Sequence, residues 1–292
     1  MQLYCFLKYI RKADGDKSGS GILKKAGYFN SEKEIVKKIM TEIDHTKRYP
    51  LVYIMEAADD IAYCLSDIED GLEKNILTFD RFKAALIAQW EKETEKDVLP
   101  YNLLSKEGDS YFTFKTTLAR RLIEESVFIY VKEHDDFLKG ERDELLSKES
   151  SSDAFYILKA LKNISRLLLF RSPEVEKKEI AGFQIIKGLM EKFKPILELS
   201  KSEFDKLLEG RKDPYKCKNL DVEWRFFNIL PKKYVKVYEA ELQKEKLKSY
   251  SNEDIIQLEW FYRAHLIVDF VAGMTDNYSL EVYKLFNGIE IN

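Results

Sequence analysis

The chain has 292 residues, 45% apolar and 34% charged, with a net charge of −3 and both signs interspersed. That balance excludes a disordered polyelectrolyte and removes the strong positive field that draws a protein to nucleic acid or to an anionic membrane. No run reaches the roughly 20 apolar residues of a spanning helix. The N-terminal stretch is too short and too charged for a signal peptide, and Cys5, Cys64 and Cys217 form no CxxC motif, so a reduced, cytoplasmic, membrane-free protein is expected.

Only 12 glycines and 6 prolines punctuate the chain, which favours long helices over turn-rich β structure. Leu3 to Lys12 reads as the end of a helix, and Asp14 to Gly21 as a loop. A helix is expected from Ser31 to about Asp44, with Glu32 and Glu34 complementing its N-terminal dipole. Pro50 opens the next at a favoured early position, and it runs to about Asn75. Thr78 caps another, reaching Lys96, and Tyr101 to Thr113 is polar and irregular. Helices follow over Thr116–Lys139 and Ser152–Phe170, then one opened by Ser172 and Pro173 that bends near Pro195. A short helix over Ser202–Glu209 leads into the loop GRKDPYKCK, and helices are expected over Asp221–Ile229, Pro231–Gln243, Ser251–Ala272 and Ser279–Phe286. There is no internal repeat and no βαβ rhythm, so the expectation is one all-α region without a linker dividing it.

The stretch MEAADDIAYC places two adjacent acids inside an apolar run. On a helix Asp59, Tyr63 and Asp67 stand at i, i+4 and i+8, and Glu56 and Asp70 extend the same stripe. Leu51, Met55, Ala58, Ala62, Leu65 and Leu72 are expected to form the packing face beside it. Carboxylates are hard oxygen ligands suited to Mg²⁺ or Mn²⁺, although a row of acids next to an apolar face is also what a solvated helix face looks like. The small pair Ala57–Ala58 leaves room for another backbone near the acids. The chain has only three histidines, His45, His134 and His265, too few and too scattered to assemble a multi-histidine metal site. The dipeptide His134–Asp135 reads as an exposed polar helix end. No P-loop, GxSxG or zinc spacing is present.

RYPLVYIMEAADDIAYCLSDIEDGLEK (Arg48 to Lys74) resembles the matching helix of bacterial deoxyguanosine triphosphate triphosphohydrolases, a family of HD-domain phosphohydrolases. LKYIRK near the start, LKKAGYF at Leu23 to Phe29, SPEVEKKEIAGFQIIKGLMEKFKPIL at Ser172 to Leu197 and VAGMTDNYSLEVYKLF near the end agree in the same order. The resemblance is to the C-terminal part of that family. It implies a multi-helix all-α HD-domain-like fold, with residues 1–75 as the remainder of the HD core and 76–292 as a C-terminal helical region.

The resemblance also implies roles. Asp59 matches the family's final metal ligand, and the cofactor implied for the complete enzyme is Mg²⁺ or Mn²⁺. Lys8 and Tyr9 match a pair facing triphosphate and sugar, and Lys25 matches a second triphosphate-binding lysine. Tyr63 and Asp67 match positions at the nucleoside sugar, and Arg211 an arginine that reaches the phosphates. Arg225 also has a counterpart. The family's preceding His, His-Asp pair and catalytic His and Glu have no match, so no catalytic residue is assigned. The expectation is a dGTP triphosphohydrolase-like protein, converting a dNTP and water to deoxynucleoside and tripolyphosphate, present here as a truncated or divided form that is inactive alone. The alternative is a non-catalytic nucleotide-binding or oligomerisation module. The implied partners are dGTP or another dNTP and a homo-oligomer or a missing N-terminal half; some relatives bind single-stranded DNA, which the charge pattern does not decide.

Overall fold

A computed structural model describes residues 7–16, 23–41, 48–104, 110–150, 152–211, 213–246 and 251–289. Cys5, His45 and the first residues of the expected Leu3–Lys12 helix lie outside these residues. Among the described residues twelve α-helices carry the fold, and the extended structure is one two-stranded ribbon. The chain forms two compact units, one ending at Val175 and the other starting at Glu176.

In the first unit β1 (Arg11–Lys12) pairs in parallel with β2 (Ala26–Tyr28). A Cβ on Gly27 would lie 1.5 Å from the carbonyl oxygen of Tyr9, so this ribbon closes only because residue 27 is glycine. Helix α1 (Lys33–Met40) follows, then α2 (Pro50–Glu73), opened by Pro50 in its first turn. Helices α3 (Phe79–Thr94), α4 (Tyr111–Lys132), α5 (His134–Lys139) and α6 (Asp153–Ile164) complete the unit. Thr78, Ser110 and Ser152 each accept a hydrogen bond from the third backbone N–H beyond them, fixing where α3, α4 and α6 begin. Helix α6 lies against α2 and α3, and α4 against α2. Their shared core holds Ile68, Phe82, Leu86, Leu118, Leu122 and Leu161, all at 0% exposure. Phe79, Phe82, Tyr111 and Phe114 pack largely edge to face within it.

The second unit takes most of α7 (Pro173–Glu198), then α8 (Lys201–Gly210), α9 (Asp221–Ile229), α10 (Lys232–Lys246), α11 (Asn252–Ala272) and α12 (Asp276–Phe286). Ser200 with Glu203 and Ser251 with Asp254 form reciprocal caps at α8 and α11. The core is built on Leu189, Phe193, Ile196, Phe204, Leu207 and Phe227. At its centre Glu259 (0% exposed) and Arg263 (2%) form a buried ion pair. Arg263 also donates to the carbonyls of Ile196 and Leu199 at 3.2 and 2.6 Å. These are carbonyls at the C-terminal end of α7, where the helix terminus leaves acceptors without intrahelical partners.

Three local expectations are corrected. Residues 7–12 are not helical but lead into β1, because a six-residue apolar–polar run suits either period and pairing with β2 decides it. Ser152–Phe170 is not one regular helix: α6 ends at Ile164 and a π-helical turn occupies Ser165–Leu169, closed by Phe170 N–H on the Ser165 carbonyl at 2.9 Å. The packing face of α2 is only partly the one expected, since Leu65 is buried and Leu72 packs against the core. Leu51, Met55, Ala58 and Ala62 are exposed, whereas Tyr53, Ala57, Ile61, Cys64, Leu65 and Ile68 are buried. α2 therefore has three faces: a core face, the acidic stripe, and an exposed apolar strip that joins Ile123 and Val127 of α4 around a cavity of about 300 Å³.

Candidate functional site

The outer surface of α2 presents Glu56, Asp59, Tyr63 and Asp67 in one row, as i, i+4 spacing requires. Glu56 is not an open acid. Arg48, almost fully buried, places Nη1 2.6 Å from Glu56, and Lys8 Nζ stands 3.3 Å from the same carboxylate. Arg48 also donates to the carbonyls of Asp143 (2.5 Å) and Lys8 (3.4 Å), and its guanidinium lies over the Tyr53 ring. Glu56 thus anchors the approach to α2 and holds Lys8 in place. Arg48 was not singled out from the sequence; its position two residues ahead of Pro50, the first residue of α2, was the available signal.

Lys8 reaches on to Asp59, with Nζ 3.9 Å from Oδ2, while 73% of the Asp59 side chain remains exposed. Lys25 lies over the Tyr9 ring at 5.9 Å, an approach set by the β1–β2 pairing. The structure therefore brings Lys8 to Asp59 and Lys25 to Tyr9 within the first unit. Tyr63 is exposed and faces Asp67; partial burial, followed by the Asp67 charge, raises its phenol above the ordinary range. Burial also raises the Asp67 carboxyl, with Asp70 adding to the effect and Tyr63 opposing it. Asp67 Oδ2 is buried without a hydrogen-bond partner.

Beside these residues a cavity of about 220 Å³ is lined by Tyr63, Asp67, Lys162, Ser165, Arg166 and Phe170. A second, of about 240 Å³, is lined by Glu56, Asp60, Glu144, Lys159 and Lys162 over an apolar floor. Lys162 borders both and pairs with Asp60 at 2.8 Å. Its ammonium is raised although burial opposes the charge, because the Asp60 hydrogen bond and charge outweigh it. Sequence reasoning missed Lys162, Ser165 and Arg166. Nothing in SRLLL announces a π turn.

Arg211 and Arg225 lie in the second unit, and their contacts are internal to it. Arg211 Nη2 donates to the carbonyls of Phe227 and Leu230 at 3.0 and 2.7 Å, and its guanidinium lies 4.6 Å over the Phe227 ring. It satisfies carbonyls at the end of α9, and burial lowers its pKa. Arg225 is exposed and donates to Asp221 O in its own helix at 2.7 Å. His134 is exposed at the start of α5, its ring against Tyr130, and His265 is exposed beside Phe261 and Asp269.

A divalent metal is tested by its donor set. Among the described residues no three His, Cys, Asp or Glu side chains converge to hold an ion. Asp59 is one exposed carboxylate with a lysine at its edge. The described residues do not make a complete Mg²⁺ or Mn²⁺ site, which calls for several oxygen or nitrogen ligands.

The twelve helices and single short ribbon of the described residues make this an all-α protein, with the acidic stripe of α2 on its surface. No family model matches the sequence. Over 97% of its length the chain is 30% identical to proteins named deoxyguanosinetriphosphate triphosphohydrolase from Serratia proteamaculans and Yersinia enterocolitica, covering 58% of each. A protein of the same name from Klebsiella pneumoniae is 28% identical over 99% of the chain and 60% of its own length. The chain is thus related to the deoxyguanosinetriphosphate triphosphohydrolases over nearly its whole length, and spans about three fifths of the relatives it matches. Among the described residues no helix is long and apolar enough to cross a membrane.

Proposed function

We propose that this chain carries the nucleotide-holding side of a deoxynucleoside triphosphate triphosphohydrolase, with dGTP as the first substrate to test. The reaction consumes one water. Its oxygen bonds to the α-phosphorus, the bond from that phosphorus to O5′ breaks, and O5′ leaves with a proton to give deoxynucleoside and tripolyphosphate. Lys8 and Lys25 supply charge to the triphosphate, Tyr9 and Tyr63 pack against the sugar, and Asp67 binds at the sugar edge. Lys8 exchanges its contacts with Glu56 and Asp59 for phosphate oxygens. Asp59 would contribute one carboxylate oxygen to a divalent metal, which would stabilise charge on the phosphate. The observation that carries the reading is the similarity along almost the entire chain to proteins named for this activity. The clustering of Lys8, Asp59, Tyr63 and Asp67 on and beside α2 supports it.

A second reading is favoured by the absence, among the described residues, of converging metal ligands: a nucleotide-binding or oligomerisation module without chemistry. One assay separates them. The purified chain is incubated with dGTP and Mn²⁺, and deoxyguanosine and tripolyphosphate are measured beside dGTP binding. Product that disappears in Asp59→Ala supports the hydrolase. Binding without product, retained in Asp59→Ala, supports the module. Neither binding nor product refutes both.

A further inference from the structure

The first half of α7 carries an apolar row that the described residues leave uncovered. Ile180, Phe183 and Ile186 fall on successive turns of one side of the helix and are 63%, 64% and 46% exposed. From Glu176 to Lys187 no residue is buried; burial begins at Leu189, where the helix joins the core of the second unit. Three large apolar side chains grouped on one helix face in water mark a contact surface. Gly182 stands beside the row, and a Cβ placed on it would meet nothing within 4 Å among the described residues. Packing among these residues therefore does not call for a helix-weakening glycine at this position, whereas its missing side chain lets a second backbone come close.

The charges on the edge of the row indicate what covers it. Glu176 and Lys187 stand on the same edge about three turns apart, the acid toward the start of the helix and the base toward its middle. Lys187 stands 3.8 Å from its own Glu191, and both side chains are exposed, so that pair exchanges readily with another carboxylate. A second copy of the helix running antiparallel brings Glu176 level with the partner's Lys187. A two-fold contact repeats every pair, so this match occurs twice. In the same register Ile180 is level with the partner's Phe183, and Ile186 lies along the aliphatic stem of the partner's Glu179. A parallel pair would instead set Glu176 against Glu176 and Lys187 against Lys187. One register thus satisfies the charges and the apolar row together, which is what a self-complementary surface requires. We propose that this chain dimerises through antiparallel pairing of the first half of α7 with the same helix of a second copy. The pairing is independent of the nucleotide reading above.

An interface one helix wide falls below the roughly 1,200 Å² of stable complexes, so dissociation is expected on the order of 10 μM. Sedimentation velocity of the full chain over about 1–200 μM brackets that range. The wild type is expected to move from 34.4 kDa toward twice that mass. Glu176→Lys and Lys187→Glu should each weaken the dimer by about tenfold, because the symmetry turns two attractive pairs into repulsive ones. The variant carrying both reversals should regain it, since the pairs are attractive again with the signs exchanged. Phe183→Ser should remain a monomer throughout. All three positions are exposed, so circular dichroism should report unchanged helix content in every variant. A wild type that stays monomeric at about 200 μM overturns the proposal, that concentration being well above the expected dissociation constant. So does a dimer that survives Phe183→Ser, which would use another face such as the strip between α2 and α4. A double reversal no tighter than either single one overturns the antiparallel register and the proposal with it.

Discussion

Glu259→Ala removes the anion from the centre of the second unit. Glu259 accepts from Arg263 Nε at 2.9 Å, from Arg263 Nη2, and from the Tyr238 hydroxyl at 2.7 Å. Its loss leaves Arg263 buried with its charge uncompensated and only the Ile196 and Leu199 carbonyls to bond. Tyr238, 2% exposed, is left with a hydroxyl that has lost its acceptor. Breaking a buried pair from one side costs about 3–5 kcal/mol. At a urea slope of about 2 kcal/mol per M, that lowers the midpoint by about 1.5–2.5 M. Tryptophan fluorescence follows the transition, since Trp260 of α11 donates to Leu197 O at 3.2 Å beside the network. The Tyr238 phenol supplies a second readout. Burial, then Glu259, push it far above the ordinary range, so the variant should titrate lower. The double variant Glu259→Leu/Arg263→Met should recover most of the loss, short by about 1–2 kcal/mol for the α7 carbonyls that Arg263 no longer caps. A midpoint shift below about 0.3 M in Glu259→Ala would refute the reasoning, since it corresponds to under about 0.6 kcal/mol.

Asp67 has its carboxyl raised by burial. An acid that is weaker in the folded state holds more protons there, so stability falls as pH rises through the interval above the unfolded value, and the penalty is fully present at neutral pH. Asp67→Asn should therefore raise the urea midpoint at pH 7 and leave it unchanged below about pH 3.5, where the acid is protonated in both states; a lowered midpoint at pH 7 would contradict this. The Cys64 thiol, 1% exposed, is pushed up to about 12, chiefly by burial. It should resist alkylation at pH 8 in the native protein and react once urea unfolds the first unit, as peptide mapping would show. Gly27→Ala drives a Cβ into the Tyr9 carbonyl, so it should open the β1–β2 ribbon, separate Lys25 from Tyr9 and weaken dGTP binding with α2 intact. Calorimetric titration and circular dichroism would check the two halves of that statement.

Much of the fold was legible because it depends on local chemistry. Thr78, Ser152 and Ser251 announce helix starts by side chains that cap backbone N–H groups, and each caps the expected helix. The acidic stripe follows from the spacing of Asp59, Tyr63 and Asp67 alone. The inward face of α2 was not legible, because its apolar residues go almost all the way round. Which third is buried depends on where α4 and α6 lie, and leucine and methionine at 51 and 55 carry no mark of being left outside. Arg211 illustrates the same limit from the polar side. In the loop GRKDP it reads as a polar loop residue, whereas it folds back over Phe227 and takes the carbonyls of Phe227 and Leu230, 16 and 19 residues away.

The sequence by itself determined the helical class, most helix starts and the row of acids on α2, since each rests on periodicity or on a side chain bonding to its own neighbourhood. The tertiary structure decided which acids are committed and which are open. Glu56 is held by Arg48 and Lys8, Asp60 by Lys162, and Asp67 keeps one oxygen unpaired beside an unpaired Ser165. The reason is that a carboxylate's role is set by the charges and donors within a few ångströms. Those come from residues as distant in the chain as Lys8 and Lys162, which only packing brings to α2.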